Sequence, residues 1–109
     1  MQLDLASLAS VENFVKEFEA KKRPLHYLIL NAAVMGVPYQ LTREGFEMHF
    51  GVNYLGHFHL TQLMIPIMKQ QTEPSRVVAV CCALTTVRMQ ISVDVTGVTQ
   101  GSGSRDAWN

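Results

Sequence analysis

Two short apolar runs, residues 25–30 and 76–82, stand on either side of a long stretch with helical periodicity. Leu25-His26-Tyr27-Leu28-Ile29-Leu30 and Arg76-Val77-Val78-Ala79-Val80-Cys81-Cys82 are too short for helices and rich in strand-forming residues. Nearly unbroken apolar runs suit strands buried on both faces of a parallel sheet. Residues 42–71 between them carry Phe46, Phe50, Leu55, Phe58, Leu63 and Met64, which predicts one long helix. Thr42 can cap its start. Gly45, Gly51 and Gly56 predict close packing or a bend, and Pro66 predicts a kink in the last turns. A strand, a helix and a strand, both strands apolar, make a right-handed parallel crossover and an α/β fold.

The flanks add one helix and a tail. Within residues 7–22, Leu8, Val11, Val15 and Phe18 fall on one helical face with Phe14 beside them. Ser7 can cap the start, and Lys21, Lys22 and Arg23 suit the negative end of the helix dipole before Pro24. Leu3-Asp4-Leu5 reads as a strand end or a turn. After Cys82 a weak alternation around Ile91-Ser92-Val93-Asp94-Val95 gives way to Gly101-Ser102-Gly103-Ser104. This predicts a flexible tail without a core of its own. The chain therefore divides into residues 1–84 and a tail, residues 85–109.

Composition removes several functions. At 48% apolar the chain can build a core, which excludes a disordered one. Nine basic and nine acidic residues cancel, so no basic excess points to nucleic acid or an anionic membrane. Cys81 and Cys82 are neighbours and cannot frame a disulfide scaffold. No apolar run reaches the roughly 18 residues of a membrane span. The first residues do not read as a signal peptide, so the expected location is cytoplasmic. His26, His49, His57 and His59 have no spacing that would gather a metal, so none is expected. Thr96-Gly97-Val98-Thr99-Gln100-Gly101-Ser102-Gly103 spells a glycine-rich phosphate loop. No helix follows to receive the phosphate, so the match is read as chance.

Three separate stretches carry a resemblance. They are Leu3-Asp4-Leu5-Ala6-Ser7, Leu28-Ile29-Leu30-Asn31-Ala32-Ala33-Val34-Met35, and Val52-Asn53-Tyr54-Leu55-Gly56-His57-Phe58. In this order and spacing they resemble the short-chain dehydrogenase/reductase family, in its retinol-dehydrogenase-like branch with the X-linked dehydrogenase/reductase and WW-domain oxidoreductase types. The resemblance implies part of a Rossmann-like, doubly wound parallel sheet and an NAD or NADP cofactor. It implies hydride transfer with an alcohol or carbonyl, with a lipophilic substrate such as a retinoid or polyprenoid.

Site residues follow from the same resemblance. Asp4, with Leu5 beside it, falls where the family receives adenine; read alone, Asp4 is also an ordinary turn residue. Asn31, Ala32 and Ala33 fall on the cofactor-contacting run after the fourth family strand, with Ala33 in place of the family's glycine. Asn53 matches the tetrad asparagine, which bends the helix and holds a water in a proton relay. Cys82 stands at the catalytic serine position, where a thiol donates a hydrogen bond weakly; read alone, it is a buried strand cysteine.

Two family elements are missing from these residues. No tyrosine or lysine follows Cys82, so the Tyr-x-x-x-Lys motif is absent, and no phosphate loop precedes residue 3. The expectation is a central fragment of such an enzyme, inactive by itself. With strand partners missing on both sides, two apolar sheet edges should be exposed. Two further expectations are a non-catalytic module docking on a full-length relative (or itself) through the long helix, and a truncated product without function.

Overall fold

A computed structural model describes residues 1–80 and the strand at residues 90–94. Helix α1 spans Leu8–Ala20 and buries Val11 and Val15, with Phe14 and Phe18 packed at its margin. Its first amides are satisfied from two places. Ser7 Oγ accepts from Ser10 N–H at 3.4 Å, and Glu44 Oε1 accepts from Leu8 N–H at 2.8 Å. The helix stops at Ala20, short of the predicted Lys22. Lys21 and Lys22 N–H groups turn back to the Phe18 and Glu19 carbonyls, and Lys22 adopts a left-handed φ of 48°. The basic triplet thus lies beyond the last turn.

Strands β1 (Tyr27–Leu30) and β2 (Arg76–Val80) pair in parallel, Tyr27 opposite Arg76 and Leu30 opposite Ala79. The α/β crossover is present. A third strand, β3 (Gln90–Asp94), pairs antiparallel with β2, Asp94 opposite Arg76 and Gln90 opposite Val80. Part of the predicted tail is therefore a strand. A strand added to an edge needs only backbone partners. β2 is consequently central in the order β1-β2-β3, so its expected exposed edge is covered and β3 forms the outer edge instead.

The sheet is not buried on both faces, as the apolar runs had predicted. Leu28, Leu30 and Val77 lie under α1 and the long helix, but Tyr27 and Ile29 are 62% and 61% exposed. Both helices pack together on the same face of the sheet. Among the described residues nothing covers the other face.

The long helix also begins later than predicted. Residues 41–47 form a tight reversal. Leu41 and Glu47 make an antiparallel bridge, Thr42 N–H donates to Phe46 O at 2.7 Å, and Gly45 takes a φ of 86° that favours glycine. Thr42 Oγ1 accepts from Phe46 N–H at 3.1 Å, so Thr42 closes this turn and does not cap the helix. Helix α2 (Met48–Phe50) runs into a π-helical segment, Gly51–Gly56, and then into α3 (His57–Gln70). α3 continues through Pro66 and buries Leu60, Met64 and Met68 against the sheet. Each such side chain contributes about 1.5–3 kcal/mol when taken from water. Phe46, Phe50 and Phe58, expected among the helix's apolar surface, are instead exposed.

Candidate functional site

Asn31, Ala32 and Ala33 follow directly on β1 and are exposed at the carboxyl edge of the parallel pair. Open α/β sheets bind ligands at that edge. The next residue, Val34, is tied to the long helix by Asn53. Asn53 Oδ1 accepts from Val34 N–H at 2.8 Å, and Asn53 Nδ2 donates to Val34 O at 2.9 Å. One carboxamide thus satisfies both backbone groups of one residue, as a neighbouring strand would.

Asn53 sits inside the π-helical segment. A π turn holds one residue more than an α turn and is frequently found at functional sites. Glycines at both of its ends permit the packing. A methyl on Gly51 would meet the Thr42 methyl group, and one on Gly56 would stand 2.5 Å from Leu5 O. The contact at Gly56 brings the Asp4–Leu5 segment against the helix one turn after Asn53. The long helix therefore links three separated stretches, touching residues 31–34 at Asn53 and residues 4–5 at Gly56.

Within that cluster Asp4 holds a turn. Its Oδ1 accepts from Ala6 N–H at 2.9 Å, while its own N–H donates to Ser10 Oγ at 3.0 Å. Leu5 is buried in the core. Burial holds the His57 imidazole below its ordinary pKa, and a hydrogen bond with the Asn53 backbone offsets part of that shift. Cys82 lies outside the described residues.

At the start of the long helix, Glu47 accepts from His49 N–H at 3.0 Å and Phe50 N–H at 2.9 Å, and pairs with His49 Nδ1 at 2.6 Å. These bonds, led by the one from the His49 backbone, lower its carboxyl pKa from 4.5 to about 2. Among the described residues, no group of three or more His, Cys, Asp or Glu could hold a metal ion. No helix among them is long and apolar enough to cross a membrane.

Residues 1–103 match the sequence pattern of the family described as short chain dehydrogenase. The chain belongs to the short-chain dehydrogenase family. It is 54% identical over 83 residues to human polyprenol dehydrogenase, covering 73% of this chain and 25% of that protein. Mouse retinol dehydrogenase 11 is 52% identical over 77 residues, covering 71% and 24%. The chicken WW domain-containing oxidoreductase is 51% identical over 80 residues, covering 73% and 19%. The chain spans about a quarter or less of the length of these relatives. Among solved structures, an uncharacterized protein from Mycobacterium Paratuberculosis is 45% identical, with a TM-score of 0.55 over 61% of this chain and 23% of that one.

The Rossmann-like fold of a short-chain dehydrogenase, expected from three motifs, is thus shown, and the chain is an oxidoreductase-family member. Sequence reasoning missed three residues that hold the elements around the cluster. Glu44 reaches α1 from 36 positions away, and Gln71 reaches Leu25 from 46; neither contact leaves a local trace. Glu47 did carry a signal, an acid at the positive end of a helix. The preceding Thr42, a better cap former by type, concealed it.

Proposed function

We propose that these residues form the adenosine-binding and asparagine-bearing centre of an NAD(P)-dependent oxidoreductase, and that as an isolated polypeptide they do not turn over substrate. The Asn53 carboxamide bonded to the Val34 peptide carries this reading. It holds the exposed, small-sided run Asn31-Ala32-Ala33 open at the sheet's carboxyl edge, where a ribose can approach the backbone closely. Asp4 spends one oxygen on Ala6 N–H, which leaves the other to accept from an adenine amine. The residues present therefore fit the adenosine half of the cofactor.

A bound nicotinamide would supply the hydride. This chain's part is to orient the adenosine side and to hold the helix at Asn53. No tyrosine or lysine follows Cys82, so the tyrosine and lysine that serve the family as proton donor and its partner are not among these residues. Positioned acid–base catalysis is worth about 10²–10⁴-fold, and its loss supports the inactivity proposed for the isolated polypeptide. The names of the relatives support a lipophilic alcohol or carbonyl, of the polyprenol or retinol kind, as the whole protein's substrate.

Titration with NADH and NADPH under amide-resolved NMR tests the reading. Saturable shifts confined to residues near Asp4 and Asn31–Val34, with no oxidation of the cofactor in the presence of retinal, are the expected result. Unchanged amides at millimolar cofactor would overturn the binding role, and steady retinal reduction would overturn the inactivity.

One observation favours a second role. Phe50, Tyr54 and Phe58 form an exposed ladder along the long helix, with ring centroids 5.3 and 6.2 Å apart. Such a stripe suits docking on a full-length relative or on a second copy.

A further inference from the structure

The Asn53–Val34 link has a counterpart at the other end of β1. Gln71 Oε1 accepts from Leu25 N–H at 2.9 Å, and Gln71 Nε2 donates to Leu25 O at 3.0 Å and to Glu73 O at 3.2 Å. Leu25 and Val34 bracket β1, and Asn53 and Gln71 bracket α3. The strand and the helix crossing it are therefore pinned at both ends by the same device, a carboxamide paired with both groups of one peptide residue. Among the described residues no other hydrogen bond joins residues 25–34 to residues 48–71.

Between the pins the contact is apolar. Leu28 and Leu30 meet a helix face of Leu60, Met64 and Met68. Methionine is unbranched and repacks readily, so such a contact resists separation but specifies axial position poorly. A carboxamide that must accept and donate at once meets its partner at only one position. The first pairing bond of the parallel ladder, Arg76 N–H to His26 O at 2.8 Å, begins one residue after Leu25.

We infer that Gln71 is a positioning residue for the Asn31–Val34 loop. It fixes where β1 begins against the long helix, so that Val34 arrives within reach of Asn53 at the far end. Gln71 touches nothing at the cluster itself and acts through the strand. The inference does not depend on cofactor binding or on turnover.

Hydrogen exchange of single amides tests it on the intact chain. The Val34 N–H reports the distant pin, and the Val15 N–H in α1 reports general stability. Gln71→Met keeps the side chain's length and removes every bond. The expected result is at least tenfold faster exchange at Val34, with Val15 changed less than twofold. Gln71→Glu should do the same near neutral pH, where its carboxylate cannot donate to Leu25 O. Relative to Val15, Val34 should recover protection as that carboxyl is protonated, because the acid form donates again. Equal loss at Val34 and Val15 makes Gln71 merely structural and overturns the inference. So does loss confined to Leu25, and so does failure of both variants to fold.

Discussion

At Gly56 the helix passes so close to the Leu5 carbonyl that only a hydrogen fits between them. An alanine there gains about 1 kcal/mol of helix propensity. It also forces a methyl onto backbone, which cannot swing aside, and overpacking costs about 1–3 kcal/mol. The clash wins. Gly56→Ala should destabilise the chain by up to about 2 kcal/mol, seen as a lower urea midpoint with an unchanged slope. A midpoint equal to or above that of the unmodified chain would sink the account. Gly56 was legible only in outline, since a glycine in a helical pattern signals close approach without naming what approaches. Asn53 was legible because it sits inside a long motif. Gln71 was not, because its partner is 46 residues away and an isolated glutamine at a helix end is ordinary.

The long helix shows the same division between existence and boundary. Apolar periodicity announced the helix and the two strands around it, and both strands start or end within a few residues of their predicted limits. Its start was misplaced because a glycine with positive φ and a backbone bridge turned residues 41–47 into a reversal. The π segment has no propensity signature of its own; packing at Gly51 and Gly56 accompanies it. Two titrating groups bear on this helix. Glu47 has its folded pKa lowered to about 2, so its contribution is present above the ordinary value of 4.5 and is lost as pH falls toward 2. His57 has its folded pKa lowered from 6.5 by burial. The unfolded chain binds that proton first, so stability rises with pH through the window below 6.5. Acid should therefore weaken the fold in two steps. Urea midpoints at about pH 8, 5.5 and 3 should fall in that order. Glu47→Gln should remove the lower step and His57→Gln the upper. A flat profile would refute both assignments.

The molecule as a whole is a one-sided layer. Two helices cover one face of a three-stranded sheet, and Tyr27 and Ile29 stand in the open on the other. The apolar runs suggested burial on both faces because periodicity reports how much a strand wants covered; among the described residues the covering helices lie on one face. Among the described residues β1 is one edge of the sheet, and its exposed Tyr27 and Ile29 make it the place where chains should meet. Light scattering on a sizing column should find pairs of chains. Ile29→Lys should return single chains with an unchanged circular dichroism spectrum, since a charge at an edge blocks further pairing. Single chains throughout, or association indifferent to this substitution, would contradict this account. The antiparallel strand β3 gives that edge its meaning. A bare parallel pair shows the same kind of edge on both sides, whereas a strand of opposite direction makes the two edges unlike. Two such sheets joined through β1 would carry β3 on both outer sides.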